Sequence, residues 1–304
     1  MNFIKRLVTF LALTTLTACS ATGGIQNNGT ANTDQPRVVA MVTHGAPGDT
    51  FWDQVRKGAQ DAARHTNMEL RYSSDPQAPL QANLIQSAID AGVDGIAVTL
   101  PNPSALGPAA QAAVQRGIPT VGLNAGMDAY QDYQLQGFFG QSEREAGVQG
   151  GRRLAEAGAK HVLCVIHEQG NISQEDRCAG IEEGLGSEVE LLYVNGQDLT
   201  SVQATLEAKL GQDRSIDWIV TLQASVAMRA AAVRGAAKVG TFDTNPELLD
   251  ALAKGEIEWA IDQQPYVQGY MAIQALWLAS HNGSTIGGGH PVFTGPSFIE
   301  AGSR

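Results

Sequence analysis

Three cysteines are the most reactive side chains of the 304-residue chain, and their placement separates two kinds of chemistry. Cys19 closes the run Leu16-Thr17-Ala18-Cys19, after a segment that carries Lys5 and Arg6 and then an apolar stretch too brief to span a bilayer as a mature helix. Small residues ahead of a cysteine admit a signal peptidase, and the freed thiol accepts a diacylglycerol. Residues 1–19 are therefore read as a lipoprotein signal peptide with Cys19 lipidated, the alternative being an ordinary cleaved signal with a coincidental cysteine. An exported chain meets an oxidising compartment, so Cys164 and Cys178 are expected to form a disulfide, closing a loop of about 15 residues worth roughly 3 kcal/mol on the chain-entropy model. The alternative is a pair of buried thiols packed as small hydrophobes. No histidine spacing accompanies them that would complete a metal site, and neither metal nor cofactor is expected.

Catalytic signatures are missing. The chain has no Gly-rich dinucleotide fingerprint, no phosphate-cradling loop, no nucleophile elbow and no zinc-type histidine pair, so an enzyme is not expected. The whole chain carries a net charge of −11. Without Lys5 and Arg6 the balance falls to about −13, which argues against a nucleic-acid partner. A hydrophobic content of 43% with 17% charged residues is that of a globular protein, and roughly 285 residues beyond the leader suffice for two domains, each with its own core. Residues 20–35, rich in Gly, Asn and Thr without apolar periodicity, read as a flexible tether.

The elements that must position any site follow from hydrophobic pattern. Short apolar runs alternate with amphipathic stretches from Arg37 onward, the pattern of βα units in mostly parallel sheets covered by helices. The predicted strands are 37–43, 68–73, 95–100, 119–123, 136–140, 161–167, 189–194, 216–222, 238–242 and 257–262, with helices between them. In the first helix Trp52, Val55, Ala59 and Ala62 make the apolar face, while Asp53, Arg56, Lys57 and Asp61 are expected to face water. A last helix over 265–280 is apolar around most of its circumference and is expected to be well buried. So many units exceed one doubly wound domain, and the pattern restarts at Gly140-Gln141-Ser142. The fold class expected is α/β, with two doubly wound parallel-sheet lobes. Ligands in such sheets bind beyond the carboxyl ends of the strands, so the residues just after each strand matter most.

Six segments, in order, carry a family resemblance. Asp49-Thr-Phe-Trp-Asp-Gln-Val-Arg-Lys-Gly-Ala-Gln60, Asp94-Gly-Ile-Ala-Val-Thr-Leu-Pro101 and Arg116-Gly-Ile-Pro-Thr-Val-Gly-Leu-Asn124 are followed by Arg177-Cys-Ala-Gly-Ile181, Gly240-Thr-Phe-Asp243 and Ala260-Ile-Asp-Gln-Gln-Pro265. Together they resemble the ribose- and galactose-type solute-binding proteins of sugar ABC transporters over about residues 36 to 300. The resemblance implies two lobes joined by a three-segment hinge, with 36–141 plus 264–291 in the N-terminal lobe and 142–263 plus 292–304 in the C-terminal lobe. It implies crossings near Gly140 to Ser142, near Gln263 and near Pro291. It also implies a ligand set of Asp49, Phe51, Trp52, Asn124, Arg177, Gln223, Asp243 and Gln263. Where the ribose branch has Asp-Arg and Asn-Asp, this chain has Asn124-Ala125 and Gln223-Ala224, which argues against ribose itself.

That ligand set suits a sugar or polyol, whose hydroxyls both donate and accept and whose C–H faces are apolar. Each residue has a plainer alternative. Asp49 is also a natural N-cap, Trp52 also fits the core stripe, and Arg177 has Glu175 and Asp176 beside it as ion-pair partners. Asp243 is freer, because Thr244-Asn-Pro-Glu247 is expected to supply a capping box of its own. His167-Glu-Gln-Gly-Asn171 follows a strand and lies inside the expected disulfide loop, which adds Glu168 and Asn171, and behind them His44, as further ligand candidates. The expectation is an extracytoplasmic, lipid-anchored, monomeric receptor that closes on a monosaccharide or cyclic polyol and delivers it to an ABC permease. The other reading is a sensory receptor that presents a sugar-like signal, such as an autoinducer, to a membrane kinase or chemoreceptor. Positive charge is too scarce for a phosphosugar, and a hydrophobic majority suited to branched amino acids is absent.

Overall fold

A computed structural model describes residues 36–302; the expected leader, the Cys19 lipidation site and the tether lie outside the described residues. The chain builds two six-stranded sheets in matching order. The first contains β1 (Arg37–Thr43), β2 (Met68–Ser74), β3 (Gly95–Val98), β4 (Thr120–Leu123), β5 (Phe138–Gly140) and β11 (Val292–Phe293), in the order β11-β5-β4-β3-β1-β2. The second contains β6 (Val162–Ile166), β7 (Val189–Tyr193), β8 (Trp218–Thr221), β9 (Lys238–Phe242), β10 (Trp259–Asp262) and β12 (Ser297–Ile299), in the order β12-β10-β9-β8-β6-β7. All neighbours are parallel except β10 and β12. Central strands such as Gly95–Val98 and Val162–Ile166 are buried at every residue, which explains why they read as unbroken apolar runs rather than alternating ones.

Helices cover both faces of each sheet. In the first lobe α1 (Thr50–His65) and α9 (Pro265–Asn282) share one face and α2 (Ala78–Asp90) and α3 (Pro103–Gln115) the other. In the second, α4 (Glu143–Glu156) and α5 (Ile172–Leu185) lie together on one face, with α6 (Leu199–Gln212), α7 (Ala224–Val233) and α8 (Pro246–Ala253) opposite. The bond between Cys164 and Cys178 fastens α5 to β6, with Cα atoms 5.9 Å apart.

The chain passes between lobes three times. It leaves β5 for α4 at Gln141-Ser142 and leaves β10 for α9 at Gln263-Gln264. The return expected near Pro291 falls instead at Thr294 to Pro296, because Val292 and Phe293 still pair with Phe139 and Gly140 in the first sheet. Two strands of two and three residues are too short to show a pattern, so β11 and β12 were missing from the sequence-based set.

Three local expectations also change. Asp61 is buried rather than solvated, since the Tyr266 hydroxyl donates to it at 2.9 Å and Lys57 pairs with it at 3.1 Å. Helix α8 is capped by Asn245, whose side chain accepts from the Leu248 N–H, and not by Thr244; the Asp243 carboxylate takes no part in the cap. Helix α9 buries one face, including Ala272, Ile273 and Leu276, while Tyr270, Met271, Trp277 and Leu278 are half-covered. Among the described residues no helix is long and apolar enough to cross a membrane.

Candidate ligand-binding site

The two lobes present matching positions to one another. His44 follows β1 as His167 follows β6; Asn124 follows β4 as Asp243 follows β9; Gln141 follows β5 as Gln263 follows β10. Asn124 and Asp243 both adopt the left-handed conformation, with φ of 62° and 65°. Asn and Asp tolerate that region better than other side-chain-bearing residues, so each sheet ends in a sharp turn that projects a short polar group into the cleft.

Between the lobes is a polar cavity, and all eleven residues expected at the site line it. They are Asp49, Phe51, Trp52, Asn124, Arg177, Gln223, Asp243 and Gln263, together with His44, Glu168 and Asn171. His167, Ser173, Gln174 and Leu222 complete the lining and were not singled out from sequence. His167 belongs to a segment that was. Phe51 and Trp52 do not divide into one packing and one lining residue; both are buried in the core of the first lobe and both reach the cavity wall, edge to face at 5.1 Å. They are the only phenyl or indole rings of the lining, and the second lobe contributes Leu222 as its apolar element.

Arg177 is buried at 4% exposure, and its partner is neither Glu175 nor Asp176. Glu143, the first residue of α4, accepts from Arg177 Nε at 2.6 Å and Nη2 at 3.0 Å, a two-pronged pair 34 residues apart in sequence. Burial works against the guanidinium charge, but the Glu143 carboxylate and, farther off, Asp243 and Glu168 outweigh it and raise the Arg177 pKa. The guanidinium also lies over the Phe242 ring, 4.8 Å from its centroid. Helices α4 and α5 approach closely enough for this pair because glycines face each other: a Cβ on Gly147 would stand 2.2 Å from the Arg177 carbonyl oxygen, and one on Gly180 2.2 Å from that of Arg144.

Asp49 is the N-cap of its helix and also faces the second lobe. Its Oδ1 accepts from the Phe51 N–H at 3.0 Å and so caps α1, and its Oδ2 accepts from Gln223 Nε2 at 2.7 Å across the cleft. Other bonds also bridge the lobes. The Ile172 N–H donates to the Pro101 carbonyl at 3.0 Å, and Asn171 Nδ2 lies 3.4 Å from His44 Nε2. The Gln263 amide links two groups: its Nε2 donates to Asp243 Oδ1 at 2.5 Å and its Oε1 accepts from Asn124 Nδ2 at 3.3 Å.

The histidines are neutral, because burial holds both well below their ordinary range, at about 3, with the Arg177 charge adding to the effect. The amide of Gln174 fixes the His167 tautomer. Its Oε1 accepts from the His167 and Glu168 N–H groups, so its Nε2 must donate to His167 Nε2 at 3.1 Å. The proton then resides on Nδ1, which is buried and has no partner among the described residues. Gln223 Oε1 is likewise buried and unpaired. The cavity therefore offers a donor and an acceptor that the protein itself does not satisfy, which is the complement of a hydroxyl. Burial raises Glu168 and Asp243 to about 7 and raises Asp49 as well.

One further group among the described residues has the makings of a cation site, His161, Glu190 and Asp213, at the amino ends of the strands and away from the cavity. Lys209 already pairs with Glu190 there at 2.5 Å.

Two linked α/β lobes with a polar cavity between them are the architecture of a solute-binding protein. Residues 39–283 match the periplasmic binding protein domain, and the chain belongs to that family, whose members work outside the cytoplasm. A solved carbohydrate transporter protein from Acidothermus cellulolyticus 11B, in complex with myo-inositol, is 49% identical, with a TM-score of 0.86 over 88% of this chain and 94% of that one. A xylose/arabinose-binding protein, XylF, from Sulfolobus acidocaldarius is 23% identical over 75% of this chain, and a xylitol-binding protein from Mycolicibacterium smegmatis is 27% identical over 56% of it. The matches span 62% and 46% of the length of those two curated relatives. These relatives are binding proteins and not enzymes.

Proposed function

We propose that the chain is the extracytoplasmic binding component of an ABC importer, held to the membrane through a lipid on Cys19, and that it binds a cyclic polyol of the inositol class or a related monosaccharide. The observation that carries this reading is the cavity itself. Carboxylates, amides, a guanidinium and an unpaired imidazole N–H surround it in the polar directions, and Phe51, Trp52 and Leu222 supply the apolar ones. A ring bearing a hydroxyl on most carbons needs that mixture, since each buried hydroxyl left unpaired costs about 1–3 kcal/mol. The relative found with myo-inositol shares nearly half its residues with this chain, which supports a cyclic polyol over an open-chain one.

Binding on this reading needs both lobes. Asp49, Asn124, Phe51 and Trp52 come from one, and Arg177, Gln223, Asp243 and Glu168 from the other, so a solute gains its full set of partners only in the closed form and shifts the population toward it. A thermal-shift screen of myo-inositol, xylitol, pentoses and hexoses, with amino acids and nucleosides alongside, tests the assignment. Cyclic polyols are expected to raise Tm most, because a ligand that binds only the native state stabilises it by mass action. A response confined to amino acids or nucleosides would reject the polyol reading.

A further inference from the structure

The charges around the cavity do not balance. Four carboxylates, Asp49, Glu143, Glu168 and Asp243, lie in or directly behind its walls, against the single cation Arg177. Glu143 already occupies Nε and Nη2 of that guanidinium. Asp49 has the amino end of α1 and the Gln223 amide for partners. Asp243 is different. It is 7% exposed, and its carboxylate accepts one hydrogen bond among the described residues, from the neutral Gln263 amide, on Oδ1. Oδ2 is left without a donor. The charged groups that act on Asp243 are Arg177 of α5, which favours its anion, and Asp49 and Glu143, which oppose it. Glu168 is held by the Asn171 amide at 2.6 Å with a neutral His44 3.8 Å away, and Asp49 adds further negative charge. A neutral polyol would supply hydroxyl donors here but no charge to offset the negative excess of buried Asp243 and half-buried Asp49 and Glu168, an excess that a cation would relieve.

We propose that the cavity prefers an amine-bearing member of the polyol class, an aminocyclitol or amino sugar, whose ammonium sits against Asp243 Oδ2 in the field of Glu168. This rests on the proposed function in one respect, that the cavity holds a polyhydroxylated ring. His167 Nδ1–H and Gln223 Oε1 remain for hydroxyls of the same ring. With both acids raised to about 7 by burial, their charges are present at pH 8 and largely lost at pH 5.5.

The test is calorimetric titration of the purified protein with myo-inositol and with inosamines, in which an amine replaces one hydroxyl, at pH 8 and at pH 5.5. A set of inosamines substituted at different ring positions removes dependence on one orientation. At least one inosamine is expected to bind about tenfold or more tightly than myo-inositol at pH 8, the scale of a charge-assisted hydrogen bond replacing a neutral one. That preference should shrink severalfold at pH 5.5 and disappear in Asp243→Asn, with Glu168→Gln reducing it less. The pH series on the unaltered protein decides the matter if a variant folds poorly. Binding of myo-inositol with no inosamine bound more tightly at pH 8 would overturn this inference and leave the proposed function standing. A preference that survives both pH 5.5 and Asp243→Asn would remove Asp243 from it, and failure of every one of these compounds to bind would fall on the proposed function first.

Discussion

Arg177 and Asp243 stand near each other in the cleft, but their removal should have opposite effects on the unliganded protein. Arg177→Ala strips Glu143 of its partner in a buried site, a change that typically costs about 3–5 kcal/mol. Lost ligand binding in that variant would therefore report damage as well as contact. Thermal denaturation should show a large drop in Tm for Arg177→Ala and partial recovery when Glu143→Ala is added; equal Tm values for the single and double variants would disprove the pairing. Asp243→Asn acts the other way. Burial raises the folded-state pKa of Asp243 from the ordinary carboxylate range to about 7, so the unliganded fold is disfavoured as pH rises through that interval, and the penalty is fully present above it. Asparagine also accepts the left-handed backbone. Unliganded Asp243→Asn should melt several degrees above the parent protein at pH 8 and close to it at pH 4.5, while binding polyols less well; a lower Tm at pH 8 would show that the carboxylate is not strained by burial. Asn124, Asp243 and Gln263 directly follow apolar strands and Asp49 heads the first helix, but it was the family resemblance that picked them out as ligand candidates. Glu143 was not legible, because an ion pair across 34 residues leaves no local trace and Glu175 and Asp176 offered a nearer answer.

At the scale of elements, the pair of α4 and α5 decides whether Arg177 is in place. Their backbones touch through Gly147, Gly151, Gly180 and Gly184, where any Cβ would meet a carbonyl oxygen at 2.1–2.2 Å. No flexible side chain is available to move aside. Gly180→Val should destabilise the second lobe by about 1–3 kcal/mol through overpacking and weaken ligand binding by displacing Glu143 from Arg177. Unchanged Tm and affinity would mean that the helices separate without consequence for the site. The βα alternation was readable from sequence since buried parallel strands are continuous apolar runs, and the disulfide was favoured over buried thiols by the oxidising compartment that an expected leader implies. The helix contact was not, although its glycines are plain in the sequence: small residues at helical spacing permit close approach but do not say which partner approaches. The position of the third crossing was also hidden, because β11 is defined by its pairing with β5 and not by its two residues.

The whole molecule has two lobes, three connections and a polar cavity between the lobes, and direct bonds join the lobes beside the candidate ligand groups. Asp49 with Gln223, and Pro101 with Ile172, join the two rims without any solute. Closure should therefore cost less than if the solute alone joined the lobes, and Gln223→Ala should weaken polyol binding through both the lost latch and the lost hydroxyl partner, read as a faster dissociation rate in stopped-flow measurements; an unchanged rate would separate the latch from binding. The two-lobed plan was legible because the strand pattern restarts after Gly140. The cavity between the lobes was legible only through family resemblance, since no periodicity tells two sheets to face each other. The most direct measurement is calorimetric titration of the unaltered protein and of Asp243→Ala with myo-inositol. One saturable site per chain in the first and none in the second is the predicted result. Equal binding in both, or no binding of any sugar or polyol to the unaltered protein, would contradict the account.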